Sequence, residues 1–258
     1  MTRENWLSFG ESSDDVTGPR WLLMGFGVCF SIWHIVTNLL INEPPILQNA
    51  IHFGGFAFLA SIIFPARIFG RSSLALDVIY GVMVALAASW VVAAESRIYE
   101  DTLAITGLPW QFNMVDWIAG GLLIVAAIDF SRRVSGWVIP ILIVLAISYI
   151  LILGEYLPGV FRTASLPLDD ILFRTIYNDE GLFGILATIS SSNIALFMIF
   201  GGFLVVSGAS DFVIEISKVV AGKIRGGAAF VAVLSSALTG TISGSAVANT
   251  ASTGVITI

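Results

Sequence analysis

The sequence predicts an all-α polytopic membrane protein with about six transmembrane helices, and three observations carry that prediction. Composition is the first: 57% of the 258 residues are hydrophobic and 12% charged, with a mean hydropathy of +0.92. Soluble domains carry about 25% charged residues. The second is that apolar runs recur along the chain at roughly the 20-residue length a helix needs to cross about 30 Å of hydrocarbon. Helices satisfy their own backbone in lipid, so they do the spanning. The third is the sorting of positive charge. With the N terminus inside, Arg3, Arg20, Arg67, Arg71, Arg132, Arg133, Lys218, Lys223 and Arg225 fall on the cytoplasmic side and only Arg97, Arg162 and Arg174 outside, as positive-inside topology requires.

Each element has its own signal. Trp21–Ile41 is the first span, ended by Asn42-Glu43-Pro44-Pro45, since two prolines cannot continue a helix. Ile46–Phe64 is the second and stops at Pro65. Leu74–Ala94 is the third, Val115–Phe130 the fourth and Gly136–Leu153 the fifth. A polar stretch, Gly154–Glu180, precedes the sixth span at Leu182–Val206. Asp211–Arg225 is too charged to span. Phe212, Ile216, Val219, Val220 and Ile224 share one helical face, and Glu215 and Lys218 stand at i,i+3 spacing. It reads as a helix lying in the cytoplasmic interface, broken by Gly226-Gly227. Trp21, Trp117 and Trp137 sit near span ends, where indoles are favoured. No cleavable signal peptide is evident, so the first span reads as retained.

The charge of −6 and the lack of a basic cluster point away from nucleic acid. Cys29 reads as a small buried hydrophobe. His34 and His52 lie inside spans and read as neutral imidazoles bonded to a neighbouring helix, the alternative being a functional group. Asp77, Asp116 and Asp129 lie near span ends, where they reach water or cap a helix. Thr188, Ser190, Ser191, Ser192 and Asn193 crowd five polar side chains into six residues of one span. Helix–helix hydrogen bonding and a cation or substrate path both explain them.

Ser235–Gly254, SSALTGTISGSAVANTASTG, is the most unusual stretch. Sixteen of its twenty residues are Gly, Ala, Ser or Thr, and none is charged. It is a packing helix with Gly240 and Gly244 in small-xxx-small spacing, a loop, or a re-entrant hairpin. The lack of charge argues against the loop. As a hairpin, one limb at about Ala228–Leu238 enters the membrane and a broken tip at about Thr241–Ala246 sits near the midplane. Free carbonyls and hydroxyls there can hold Na⁺. Gly244 supplies backbone freedom, and Ser243, Ser245, Asn249 and Thr250 supply oxygens.

The run GGAAFVAVLSSALTGTISGSAVANTASTGVITI, residues 226–258, closely resembles the large membrane subunit of tripartite ATP-independent periplasmic (TRAP) transporters. It is most similar to the fused permeases that work with the TAXI class of substrate-binding protein. FMIFGGFLVVSGASDFVIEI at Phe197–Ile216, GEYLPGVF at Gly154–Phe161 and EGLFGI at Glu180–Ile185 carry the resemblance too, and the first spans resemble the small subunit fused in front. The resemblance favours the hairpin and implies an elevator-type secondary transporter of organic acids, driven by Na⁺, with no cofactor and no enzyme activity. A secreted TAXI-type protein would deliver the substrate at a prokaryotic inner membrane. It implies a cytoplasmic segment at 1–20, a small-subunit-like scaffold at 21–135 and connecting and first large-subunit spans at 136–210. An arm helix at 211–226 and the start of the transport domain at 227–258 follow. Na⁺ would sit at Ser243, Gly244 and Ser245, substrate or ion contacts would include Asn249 and Thr250, and Ser191, Ser192 and Asn193 would line an ion path.

Other classes stay in view. A binding-protein-independent Na⁺/carboxylate symporter has similar hairpins, but the small-subunit-like front argues against it. A structural fragment without a site is a further reading. An intramembrane protease would need a nucleophile paired with His34 or His52, and no such motif is recognisable. A complete fused permease is much longer and carries a second hairpin, so the expectation is a fragment or a truncated gene. Proteoliposomes holding this polypeptide alone should show no Na⁺-driven uptake of labelled organic acid above protein-free vesicles.

Overall fold

A computed structural model describes residues 20–41, 43–66, 73–101, 112–221 and 226–240. Regular secondary structure among these residues is all helical. The order is α1 (Arg20–Leu39), α2 (Pro45–Ile63), α3 (Leu74–Asp101), α4 (Met114–Ser135) and α5 (Val138–Leu151), then α6 (Leu168–Leu172) and a π turn at Phe173–Tyr177. A second helical group follows: α7 (Ile185–Ile189), a π turn at Ser190–Ile194, α8 (Ala195–Val206), α9 (Ala209–Ala221) and α10 (Gly227–Gly240). Among the described residues, five helices are long and apolar enough to cross a membrane: Trp21–Leu39, Pro45–Ile63, Leu74–Ile98, Met114–Ser135 and Ile185–Leu204. The expected fifth span is shorter than read. α5 has 14 residues, or about 21 Å, less than the hydrocarbon thickness.

Contacts divide the chain into two units. The first comprises Met1–Ile32 with Leu40–Thr188, and the second Trp33–Leu39 with Ile189–Ile258. In the first unit the side chains buried where α2, α3 and α4 meet are mostly small. Val84, Ala87, Ala88, Val91 and Ala94 of α3 are buried, as are Ala119, Leu123 and Ala126 of α4 and Ala50 and Ala57 of α2. Lipid offers no hydrophobic drive for helices to associate, so close backbone approach does the work. A Cβ at Gly54 would lie 3.2 Å from Ala85 Cα, and one at Gly81 3.0 Å from Phe58 Cα. Leu, Ile and Phe side chains such as Leu76, Leu86, Ile118 and Phe56 are exposed, as lipid-facing residues should be. Cys29 joins them: it is exposed rather than buried, because a weakly polar thiol facing acyl chains needs no protein cover.

The stretch Gly154–Glu180 is more ordered than a polar loop. It forms helical turns that bury Leu172, Phe173, Ile176 and Tyr177 in the same core as α3 and α4, and Ile171 is buried beside them in sequence. Phe183 follows them inside, edge-on to Phe53 at 5.7 Å.

In the second unit α9 carries the predicted amphipathic pattern. Phe212, Ile216, Val219 and Val220 are exposed, and Lys218 Nζ bonds Glu215 Oε1 at 2.8 Å. Residues 222–225 of the expected arm lie outside the described part. Gly226 has φ +83°, a left-handed conformation that lets α10 start abruptly at the next residue. α9 and α10 pack on each other, and the side chains buried along them are small: Ser217, Ala221, Val231, Ser235 and Thr239.

Replacing Gly81 by Leu should drive α2 from α3 and cost about 1–3 kcal/mol of stability. Gly121→Leu, at a position with no atom within 4 Å, should be nearly neutral. Thermal unfolding of the two variants in detergent compares them directly.

Candidate functional site

α10 is the described part of the stretch singled out in the sequence. It begins at Gly227 and runs to Gly240, so the expected first limb at Ala228–Leu238 is helical along its whole length. Its hydroxyls turn back on their own helix: Thr239 Oγ1 donates to Ser235 O at 2.6 Å and Ser235 Oγ to Ala232 O at 3.2 Å. Such back-bonding hides a polar side chain within an apolar segment. Ser243, Gly244, Ser245, Asn249 and Thr250 lie outside the described residues.

The second candidate, Ser191–Asn193, lies within the π turn Ser190–Ile194. Ser191 is fully buried, Ser192 half-buried and Asn193 exposed. π turns occur mostly as single interruptions of α-helices, often where a protein works. The Ser191 carbonyl accepts from Asn38 Nδ2 at 3.1 Å, and the same amide donates to His34 O at 2.8 Å. His34 is buried edge-on to Trp33, with ring centroids 4.7 Å apart. His52 stacks edge-on to Phe56 at 4.8 Å.

Two polar networks brace the first unit at opposite ends of the antiparallel pair α3–α4. At one end Asp116 opens α4. Asn113 and Asp116 form a reciprocal capping box, Asn113 Oδ1 accepting from the Asp116 N–H at 2.9 Å and Asp116 Oδ2 from the Asn113 N–H at 2.7 Å. The Asp116 carboxylate has no exposed surface and also accepts from Trp90 Nε1 at 2.9 Å and Arg97 Nη2 at 2.6 Å. Tyr177 donates its hydroxyl to the Asp116 carbonyl at 2.7 Å. Burial, then the nearby Asp116 carboxylate, pushes the Tyr177 phenol well above its ordinary range, with Arg97 opposing. It therefore stays a donor.

At the other end, Arg133 bonds Asp129 and the Phe64 carbonyl, the latter at 2.9 Å. Its guanidinium lies over Tyr80 and Phe130 at 5.3 and 5.4 Å. Asp77 accepts the Ala66 N–H at 2.9 Å and stands 3.8 Å from Arg133 Nη1. Of the three aspartates read as reaching water or capping helices, Asp116 caps one, Asp77 takes the Ala66 N–H, and Asp129 pairs with Arg132 and Arg133 of its own helix. Asp77 and Asp116 lie away from water, being 3% and 0% exposed.

A cleft of about 370 Å³ opens between the start of α2 and the turn before α7, lined by Pro44, Pro45, Glu95, Asp179, Phe183 and Thr188 among others. Below it the buried Asn49 amide donates to Phe183 O and Thr188 Oγ1, both at 2.8 Å. Asn38, Asn49, Trp90 and Arg97 were not singled out by the sequence. For the two asparagines the signal was present, as amides inside apolar runs.

No group of three or more His, Cys, Asp or Glu side chains suited to a metal ion occurs among the described residues. The arrangement is that of a helical membrane scaffold bearing polar interruptions. A family model described as "Tripartite ATP-independent periplasmic transporter, DctM component" matches residues 122–258, more than half of the chain. The chain belongs to the DctM family. It is therefore a membrane component of a TRAP transporter, from a family of transporter components rather than enzymes. The match begins within α4, inside the stretch expected to be small-subunit-like, and runs through α10 to residue 258. No curated protein and no solved structure matches the chain.

Asp116→Ala in this DctM component strips the acceptor from Arg97, Trp90 and the Asn113 N–H together. It should cost about 3–5 kcal/mol and lower the melting temperature in detergent. Glu215→Ala, which breaks an exposed pair, should cost under about 1 kcal/mol.

Proposed function

We propose that the chain is the permease component of a Na⁺-coupled secondary transporter for organic acids, supplied by a secreted TAXI-type binding protein. The observation that carries this reading is the DctM match, whose bounds, residues 122–258, include SGSAVANTASTG. That uncharged run of hydroxyls, glycines and one amide has the chemistry Na⁺ needs, because a hard cation takes oxygen ligands. On this reading α10 is the first limb of a re-entrant hairpin and Na⁺ binds at Ser243, Gly244 and Ser245. Asn249 and Thr250 contact substrate or ion. Ser191, Ser192 and Asn193 line an ion path, their hydroxyl and amide oxygens replacing hydration water.

The remaining parts take matching roles. α1–α4 form the small-subunit-like scaffold. α9, amphipathic with its apolar side exposed, is the interfacial arm linking scaffold to a transport domain that moves as an elevator. The N terminus is cytoplasmic, the orientation that places nine of the twelve Lys and Arg residues inside. The cleft with Glu95 and Asp179 then opens outward, on the side from which a binding protein arrives.

Membrane vesicles from cells expressing the chromosomal copy, with the binding protein added, test this. A Na⁺ gradient should drive uptake from a panel of labelled organic acids, and uptake should fall at least tenfold without Na⁺ or without the binding protein. Ser243→Leu and Asn249→Leu should each abolish the Na⁺-dependent part while leaving the amount of inserted protein unchanged. Full uptake without the binding protein would instead assign a stand-alone symporter. Unaltered Na⁺ dependence in both variants would remove these residues from the site.

A further inference from the structure

The π turn at Ser190–Ile194 places one extra residue within the span that runs from α7 into α8. The Ala195 N–H passes over Ser191 and bonds to Ser190 O and Ser192 O. Ser191 is buried, and its carbonyl meets an amide from another stretch of the chain, Asn38 Nδ2 at 3.1 Å. The second proton of the same NH₂ reaches His34 O at 2.8 Å. One side chain thus joins the last turn of α1 to the bulge.

Within hydrocarbon a carbonyl drawn out of its helical register needs a donor from the protein, since no water supplies one. An uncharged amide with two protons suits the task. It satisfies the bulge with one proton and anchors itself to its own helix with the other. A Leu of similar size would offer neither bond, and the continuous α-helix would then be the better-satisfied backbone.

We propose that Asn38 holds the extra residue as a π turn and thereby sets the angular phase of Ala195–Val206. Successive α-helical residues are about 100° apart. Absorbing the bulge into a regular helix would rotate every side chain after it by that angle relative to Ser191 and the last turn of α1. In the structure Ala195 is buried while Phe197, Met198, Phe200, Phe203 and Val206 face outward. Asn38 is therefore a positioning residue. Its consequence for uptake rests on the transport reading above.

The test uses a single-cysteine series at positions 195–206, in the full chain with Cys29→Ser, carrying nitroxide labels in lipid vesicles. Oxygen accessibility along the series reports which positions face lipid. In Asn38→Leu the accessibility maxima should move by about one residue, the step of one α-helical position. Deleting Ser192 removes the extra residue, so the deletion alone should keep the original phase. Combined with Asn38→Leu it should restore that phase, because a continuous α-helix no longer needs the amide. Uptake measured as above should fall at least tenfold in Asn38→Leu; the double variant is read by accessibility alone, because Ser192 itself is placed in the ion path. An unshifted accessibility pattern in Asn38→Leu, or a shifted pattern that the deletion fails to restore, would overturn the inference. The accessibility readout stands even if the vesicles carry none of the acids, so failure of the transport reading is seen separately.

Discussion

A carboxylate with no exposed surface has to find all its hydrogen bonds inside the protein, and Asp116 does so at the mouth of α4. Three different groups converge on it: the Arg97 guanidinium, the Trp90 indole and the Asn113 backbone N–H. Trp90 and Arg97 stand two turns apart on one face of α3, and Asn113 lies in the chain just before α4. Removing an ion from water costs several kcal/mol, and only good geometry with every lone pair used offsets it. The arrangement of α3, α4 and the turn ending at Tyr177 follows from meeting that requirement. The Tyr177 hydroxyl on the Asp116 carbonyl ties the segment after α5 into it.

The same requirement explains what a linear reading could and could not find. The five long spans are legible because apolar runs of sufficient length are a one-dimensional property. Two were read short. α3 continues past Ala94 to Asp101, and α4 past Phe130 to Ser135. In each case the sequence shows charges, Glu95 and Arg97 or Arg132 and Arg133, that look like a membrane boundary. Arg97, Arg132 and Arg133 have partners distant in sequence or a turn away, so the helix runs on through them. The capping box at Asn113 and Asp116 was readable from its spacing, whereas the Arg97 and Trp90 contacts needed the fold.

The segment after α5 misleads for a related reason. Its prolines and charges suggest a solvated loop, yet Ile171, Leu172, Ile176 and Tyr177 recur at spacings that bury one face. Gly120 leaves room on α4 for the Leu172 side chain, which a Cβ there would strike. Of the candidate site, the Ser/Asn patch was visible by composition, but its π geometry was not. Whether a polar run stays α-helical depends on where its carbonyls find donors, and Asn38 stands 153 positions from Ser191. Residues 243–250, proposed above as a hairpin tip, are legible through composition and family alone.

The two networks also bear on how the protein meets its bilayer. α3 has 28 residues, about 42 Å of helix, against a hydrocarbon layer of about 30 Å. Arg97 with Asp116 fixes α3 to α4 at one end, and at the other Arg133 of α4 lies 3.8 Å from Asp77 and over the Tyr80 ring of α3. Two antiparallel helices fastened at both ends cannot slide along each other. A change in membrane thickness is then accommodated by leaning of the α3–α4 pair as a unit, or by the lipid deforming around it. Bilayer thickness thereby becomes a mechanical input to the tilt of the pair.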